Sequence, residues 1–177
     1  MTDFYIGKIF TIDEYERAFI WLEEQNNPFY TIEEIEPADG ERQFILVDKT
    51  PTQEEQEKEE KERILNLYMT RSDFFDGTIM AWGVDEAALL PLIESMVNSM
   101  PLDDRLKLKA MNNFKNALNF YRKHDLFNLL VNIPLQLSES VQVIITDKHL
   151  DKFFDEVAKG NKDSAWQYLP QPMAINQ

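Results

Sequence analysis

The stretch TPTQEEQEKEEKER, residues 50–63, constrains the fold more than any other, because apart from Pro51 it holds no aliphatic or aromatic side chain. A segment with nothing apolar to bury gains nothing from entering a core, so it divides the chain into a front and a back. Pro51 suits a first helical turn, and Glu54 with Lys58, Glu57 with Lys61 and Glu59 with Arg63 are i,i+4 pairs in the favourable order. Each such pair adds only about 0.2–0.5 kcal/mol. The segment reads as a solvated spacer helix running into Ile64, Leu65 and Tyr68, with a flexible charged linker as the competing form. The expected divisions are a front unit over 1–49, the spacer over 50–67, a helical bundle over 68–160 and a tail over 161–177.

In the front unit, residues 3–10 alternate and carry Phe4, Ile6 and Phe10, as a short strand does. Thr11 and Glu14 have the spacing of a capping box for a helix to about Gln25, with Tyr15, Phe19 and Leu22 inward and Ala18 and Trp21 beside them. Asn26, Asn27 and Pro28 stop it. Two further strands are expected over 29–35 and 42–47, around the turn residues Pro37, Ala38, Asp39 and Gly40. The result is a β-α-β-β unit of about 48 residues, small enough to be marginal by itself. Gly7 and Gly40 are isolated, so it has no glycine-rich phosphate loop.

The back is denser in apolar residues. Thr70 and Asp73 resemble a capping box for a helix bearing Phe74, Phe75, Ile79, Met80 and Trp82, with Gly83 as its left-handed stop. Asp85 caps the next helix, in which Pro91 belongs to the first turn or to a kink. Asp103 or Asp104 begins the longest helix, expected to reach Lys123. Its inner face would be Leu106, Ala110, Phe114, Ala117 and Tyr121, flanked by Met111 and Leu118. A short helix follows from Asp125 and breaks at Pro134. The run Val141, Val143, Ile144 and Ile145 suits a helix from Ser138 or a strand, and a last amphipathic helix runs from Asp147 or Lys148 to Gly160. The bundle should centre on Phe75, Trp82 and Phe114. The fold class is α+β: a small N-terminal β-α-β-β unit, a charged spacer helix and a C-terminal all-α bundle.

Two outward features are candidate partner-binding sites. Arg105, Lys109, Asn112, Asn116, Asn119 and Lys123 follow 4,3,4,3,4 spacing, opposite the apolar face of the long helix, with Lys107, Lys115 and Arg122 adding charge. This is either the solvated back of an amphipathic helix or a docking stripe for an acidic surface. The tail carries Trp166, Tyr168, Leu169, Met173 and Ile175 around Pro170 and Pro172; it wraps onto its own core or reaches a neighbouring subunit. In the second case its deletion would leave the fold intact.

Catalytic chemistry is hard to place. The chain has no cysteine and only two histidines, His124 and His149. His124 is expected in the last turn of the long helix, where a cation is favourable, and His149 has no second histidine at zinc-pair spacing. No nucleophile elbow, Walker loop, dinucleotide fingerprint or calcium loop is present. No cofactor, metal or small-molecule substrate is expected, and no enzyme activity. An unfamiliar enzyme stays a remote alternative. No apolar run approaches the roughly 20 residues of a bilayer span, and residues 1–10 lack the pattern of a signal peptide.

The formal charge of −14 is uneven, with 18 acids against 7 bases in residues 1–63 and 14 against 11 thereafter. Direct nucleic-acid binding is disfavoured, since phosphate neutralisation needs the opposite sign. The acidic front either keeps the chain soluble or meets a basic partner. In the second case it suits an inhibitor occupying the nucleic-acid groove of a host defence enzyme, as a DNA mimic or an anti-CRISPR protein does.

Thr70, Arg71, Asp73, Phe74 and Phe75, followed by Asn119, Phe120, Tyr121 and Arg122, resemble segments of small helical proteins encoded in the tail-gene modules of tailed bacteriophages and prophages. The resemblance covers roughly residues 64–158, and its motifs are helix caps and core aromatics. It implies a structural or assembly role through protein partners, in the cytoplasm of a bacterial host or in the virion. It carries over no catalytic residue.

Overall fold

The computed structural model describes residues 4–36 and 42–175. It is a mixed α and β chain that divides into two compact units, residues 1–57 and 58–177. The division falls inside the glutamate-rich helix. The expected turn at Pro37, Ala38, Asp39 and Gly40 lies outside the described residues.

Unit 1 contains β1 (Ile9–Thr11), a 3-10 turn (Ile12–Glu14), α1 (Tyr15–Gln25), β2 (Tyr30–Ile35) and β3 (Gln43–Asp48). The sheet is antiparallel in the order β1-β3-β2, with Phe10 opposite Phe44 and Ile32 opposite Leu46. Phe4, Phe10, Ala18, Phe44 and Leu46 form its core, and Tyr15, Trp21, Leu22 and Ile32 pack against them. The capping box expected of Thr11 and Glu14 does not form. Thr11 makes no side-chain cap bond because it is paired with Gln43 in β1, and Lys8 takes the Glu14 carboxylate. Phe19 also departs from expectation. It is 46% exposed, because the helix turns the fully buried Ala18 toward the core and Phe19 away from it. Asn26 closes α1 in the left-handed conformation (φ 48°), which asparagine tolerates better than most residues.

α2 (Gln53–Leu65) is the charged helix, and it buries none of its side chains. Unit 2 continues with β4 (Tyr68–Thr70), α3 (Arg71–Trp82), α4 (Glu86–Ser99), α5 (Asp104–Asn116), β5 (Asn119–Tyr121), α6 (Asp125–Leu130), β6 (Pro134–Ser138), β7 (Val141–Ile144), α7 (Asp147–Ala158), α8 (Lys162–Ala165), a 3-10 turn (Trp166–Tyr168) and β8 (Met173–Ala174). The expected all-α bundle is therefore corrected. β4 pairs with β5, and β6, β7 and β8 form a second antiparallel sheet. The run at Val141 takes the strand form, because β6 and β8 flank it on both sides.

Local signals set the helix ends. The Asp73 amide donates to the Thr70 hydroxyl oxygen at 3.1 Å, and that hydroxyl donates to the Asp73 carboxylate at 2.7 Å. Gly83 (φ 70°) stops α3, and Asp85 and Asp103 cap α4 and α5. Pro91 sits in the second turn of α4, one turn later than proline prefers, so the Ala87 carbonyl loses its i+4 donor. The core gathers around Phe74, whose ring lies within 6.2 Å of Phe75, Phe114, Phe120, Phe127 and Phe153, while Phe114 stacks on Phe120 at 4.5 Å. Gly77 admits Phe153 to α3: a Cβ at that position would stand 2.5 Å from the ring. Trp82, expected at the centre, is only partly buried at the rim.

Candidate interaction surfaces

Two segments far apart in sequence, residues 68–70 and 119–121, meet in space. Thr70 pairs with Asn119, Met69 with Phe120 and Tyr68 with Tyr121 across the β4–β5 ribbon. Arg71 extends this junction. Its guanidinium donates to the carbonyls of Phe114 (2.9 Å) and Ala117 (3.2 Å), bonds Glu86, and lies over the Phe75 and Phe120 rings. A cation on the terminal carbonyls of α5 satisfies groups that a helix end leaves orphaned. The long helix accordingly stops at Asn116, not at Lys123.

That early stop dissolves the expected stripe. Arg105, Lys109, Asn112 and Asn116 are exposed on α5, but Asn119 lies in β5 and Lys123 in the turn beyond it. Several members are already engaged: Lys109 stands 3.9 Å from Asp125, the Asn116 side chain donates to the Asn112 carbonyl, and Lys123 donates to the Asn66 side chain. The inner face changes too, leaving Leu106, Leu118 and Tyr121 exposed.

Arg122, expected among the outward charges, is fully buried. Its Nε donates to Asp151 at 2.7 Å and its Nη2 to Asp147, while Nη1 has no partner. Two signals could have found it: the period-two spacing of Phe120 and Arg122, which puts both on one side of a locally extended chain, and the i,i+4 spacing of Asp147 and Asp151 on α7. Asp155 is a second buried charge. Burial raises its pKa, but hydrogen bonds from Lys159 and Arg63 outweigh this and hold it below the usual carboxylate range. Asp73 is depressed in the same way, with Lys162 and Thr70 outweighing burial.

The tail packs on its own unit. Ala165 and Leu169 belong to the core, the Trp82 indole donates to the Pro170 carbonyl at 2.8 Å, and β8 adds to β7. Of the two forms expected of the tail, it takes the one that wraps onto its own core. Trp166 is half-buried with its indole bonded to the Asp163 carbonyl, and Tyr168 remains exposed.

Unit 1 shows the opposite character. Tyr5, Ile6, Ile9, Ile12, Phe19, Ile20 and Phe29 are all exposed. Unit 2 includes two shallow clefts of about 400 and 390 Å³. One lies between Ser95 and Ser99 of α4 and Gln136 of β6; the other lies between Tyr68 and Val157, beside the Asp73–Lys162 ion pair. Among the described residues no group of three or more acidic or histidine side chains is arranged to hold a metal ion. No helix described is long and apolar enough to cross a membrane. His124 is not at the end of the long helix. It stands at the N-terminus of α6, and His149 stands in the first turn of α7.

No protein-family model, curated protein or solved structure matches the chain.

Proposed function

We propose that this chain is a non-catalytic structural or assembly protein of a bacteriophage or prophage, acting through protein–protein contacts in the host cytoplasm or the virion. The observation that carries the reading is the exposed hydrophobic set of unit 1, from Tyr5 to Phe29. Single exposed apolar residues are ordinary, but so many within one small unit make a surface suited to a partner. The motif residues support the same reading, because Thr70, Arg71, Phe74, Phe75, Asn119 and Phe120 are spent on a cap, a helix end, a ribbon and a core.

A second reading rests on α2. Glu54, Glu55, Glu57, Glu59, Glu60 and Glu62 are all solvent-exposed on one helix, whose far end is tied to α7 by Arg63 and Asp155. An exposed acidic helix of this kind suits an inhibitor of a nucleic-acid-directed host defence enzyme.

Titration calorimetry of the full chain against purified proteins encoded by neighbouring genes separates the two readings. The assembly reading expects affinity for a tail-module protein that falls at least tenfold in Phe19→Ser/Ile20→Ser and changes little with salt. The inhibitor reading expects affinity for a defence enzyme that falls steeply with salt and on replacing the six glutamates with glutamine. Absence of binding to every tail-module protein tested would overturn the first reading.

A further inference from the structure

We propose that the two histidines are paired, acid-released helix caps: each holds a helix N-terminus through an unprotonated ring nitrogen, and acidification from neutrality releases both.

At α6, His124 is the N-cap residue, and its Nδ1 accepts the Leu126 backbone N–H at 3.2 Å. That position is usually filled by Ser, Thr, Asp or Asn, whose oxygens remain acceptors through the neutral and mildly acidic range. At α7, Thr146 is the N-cap and His149 stands where a capping box places Glu or Gln. Its Nδ1 accepts the Thr146 N–H at 3.2 Å, and the Thr146 hydroxyl oxygen accepts the His149 N–H at 3.3 Å.

Both bonds need a lone pair on Nδ1, so the neutral rings carry their proton on Nε2. An imidazolium has protons on both nitrogens and accepts nothing. In either position it would turn a donor toward a donor and place positive charge at the positive end of a helix dipole.

The surrounding charges do little to rescue the protonated form. Beside His124, Asp125 attracts a proton, but Lys109 of α5 stands 3.9 Å from that carboxylate and Lys123 immediately precedes the histidine. The other close neighbours are the Phe114 and Phe127 rings. Beside His149, Lys148 repels a proton, and Asp147 and Asp151 are both engaged by Arg122. Burial, the largest influence on each, lowers both pKa values; Asp125 partly counters this at His124 and Lys148 adds to it at His149. The unfolded chain thus takes up these protons more readily than the folded one. The stability the two rings contribute is complete above the ordinary histidine pKa of about 6.5 and is lost as pH falls through the depressed folded values.

The two caps are mechanically joined. Arg122 lies two residues before His124, and the carboxylates it holds flank His149 on α7. Releasing both caps would loosen the same junction from its two sides, and this junction anchors the helix that supplies Phe153 and Phe154 to the core.

Two measurements on the full chain test the device. Nitrogen NMR of histidine-labelled protein should show the Nε2–H tautomer for both rings near neutral pH, with titration midpoints below that of a free histidine. Thermal melts of the wild type and of His124→Asn/His149→Gln should then diverge. Asn and Gln supply acceptors that do not titrate, so on passing from neutral to mildly acidic pH the wild type should lose roughly 2–4 °C per cap relative to the variant. Self-repulsion of the acidic chain changes almost equally in both proteins and cancels in the comparison. An Nδ1–H tautomer at either histidine would overturn the proposal without requiring any variant to fold. Parallel pH profiles for the two proteins would overturn it as well.

Discussion

Unit 1 closes its core with Phe4, Phe10, Ala18, Phe44 and Leu46 and leaves Ile9, Ile12, Phe19 and Ile20 in solvent, while unit 2 builds one continuous cluster from Met69 to Leu169. The contrast follows from geometry. A three-stranded sheet with one helix has too little interior to hide every apolar side chain, whereas seven helical segments, a ribbon and a second sheet supply an interior on many sides. Stability therefore concentrates in unit 2, and uncovered apolar surface concentrates in unit 1.

Leu169→Ala should strike this contrast hardest. The residue follows the late 3-10 turn and is buried in the core, and its truncation should cost unit 2 about 2–5 kcal/mol, read from denaturant midpoints. A change below about 0.5 kcal/mol would mean that the tail is not part of the core. Arg122→Met should come next, at roughly 3 kcal/mol. Asp147 is 66% exposed and can recover water, which keeps the loss toward the lower end of that expected for a broken buried pair. Urea melts at neutral pH would show it, and a neutral or stabilising result would mean that methionine packing replaces the ion pairs. The smallest effect is expected on the open side of unit 1. Phe19→Ser/Ile20→Ser should alter stability by no more than ~0.5 kcal/mol at each position. Segment-resolved hydrogen exchange in residues 4–36 would reveal any larger loss, and a larger loss would place those side chains inside.

Much of the helix punctuation was legible because a cap is local. Thr70 with Asp73, Asp85 with Ala88 and Gly83 each act within a few residues, so their chemistry can be read in place. The ribbon was not legible. Asn119 to Tyr121 continues the 3,4 spacing set by Ala110 and Phe114, and only the distant Arg71 and β4 reveal that the chain there is extended. The same distance hid Arg122, whose partners stand on α7. It also made the exposed members of the stripe look like one face. Thr11 shows the converse: a correct local signal loses when β1 claims the residue for the sheet. Of the candidate partner residues, Arg105, Lys109, Asn112, Asn116, Asn119, Lys123 and Tyr168 keep outward positions without forming one surface with a single geometry.

The Trp82–Pro170 hydrogen bond has a consequence for the order in which the molecule can be made. Its two residues are 88 positions apart, so at a synthesis rate of about 5–20 residues per second the indole waits roughly 4–18 s for its acceptor. For that interval α3, with Phe74 and Phe75, is a nascent hydrophobic segment without its lid. The charged helix α2, made a few residues before it and burying none of its side chains, therefore carries a concentrated negative charge beside that segment throughout the interval.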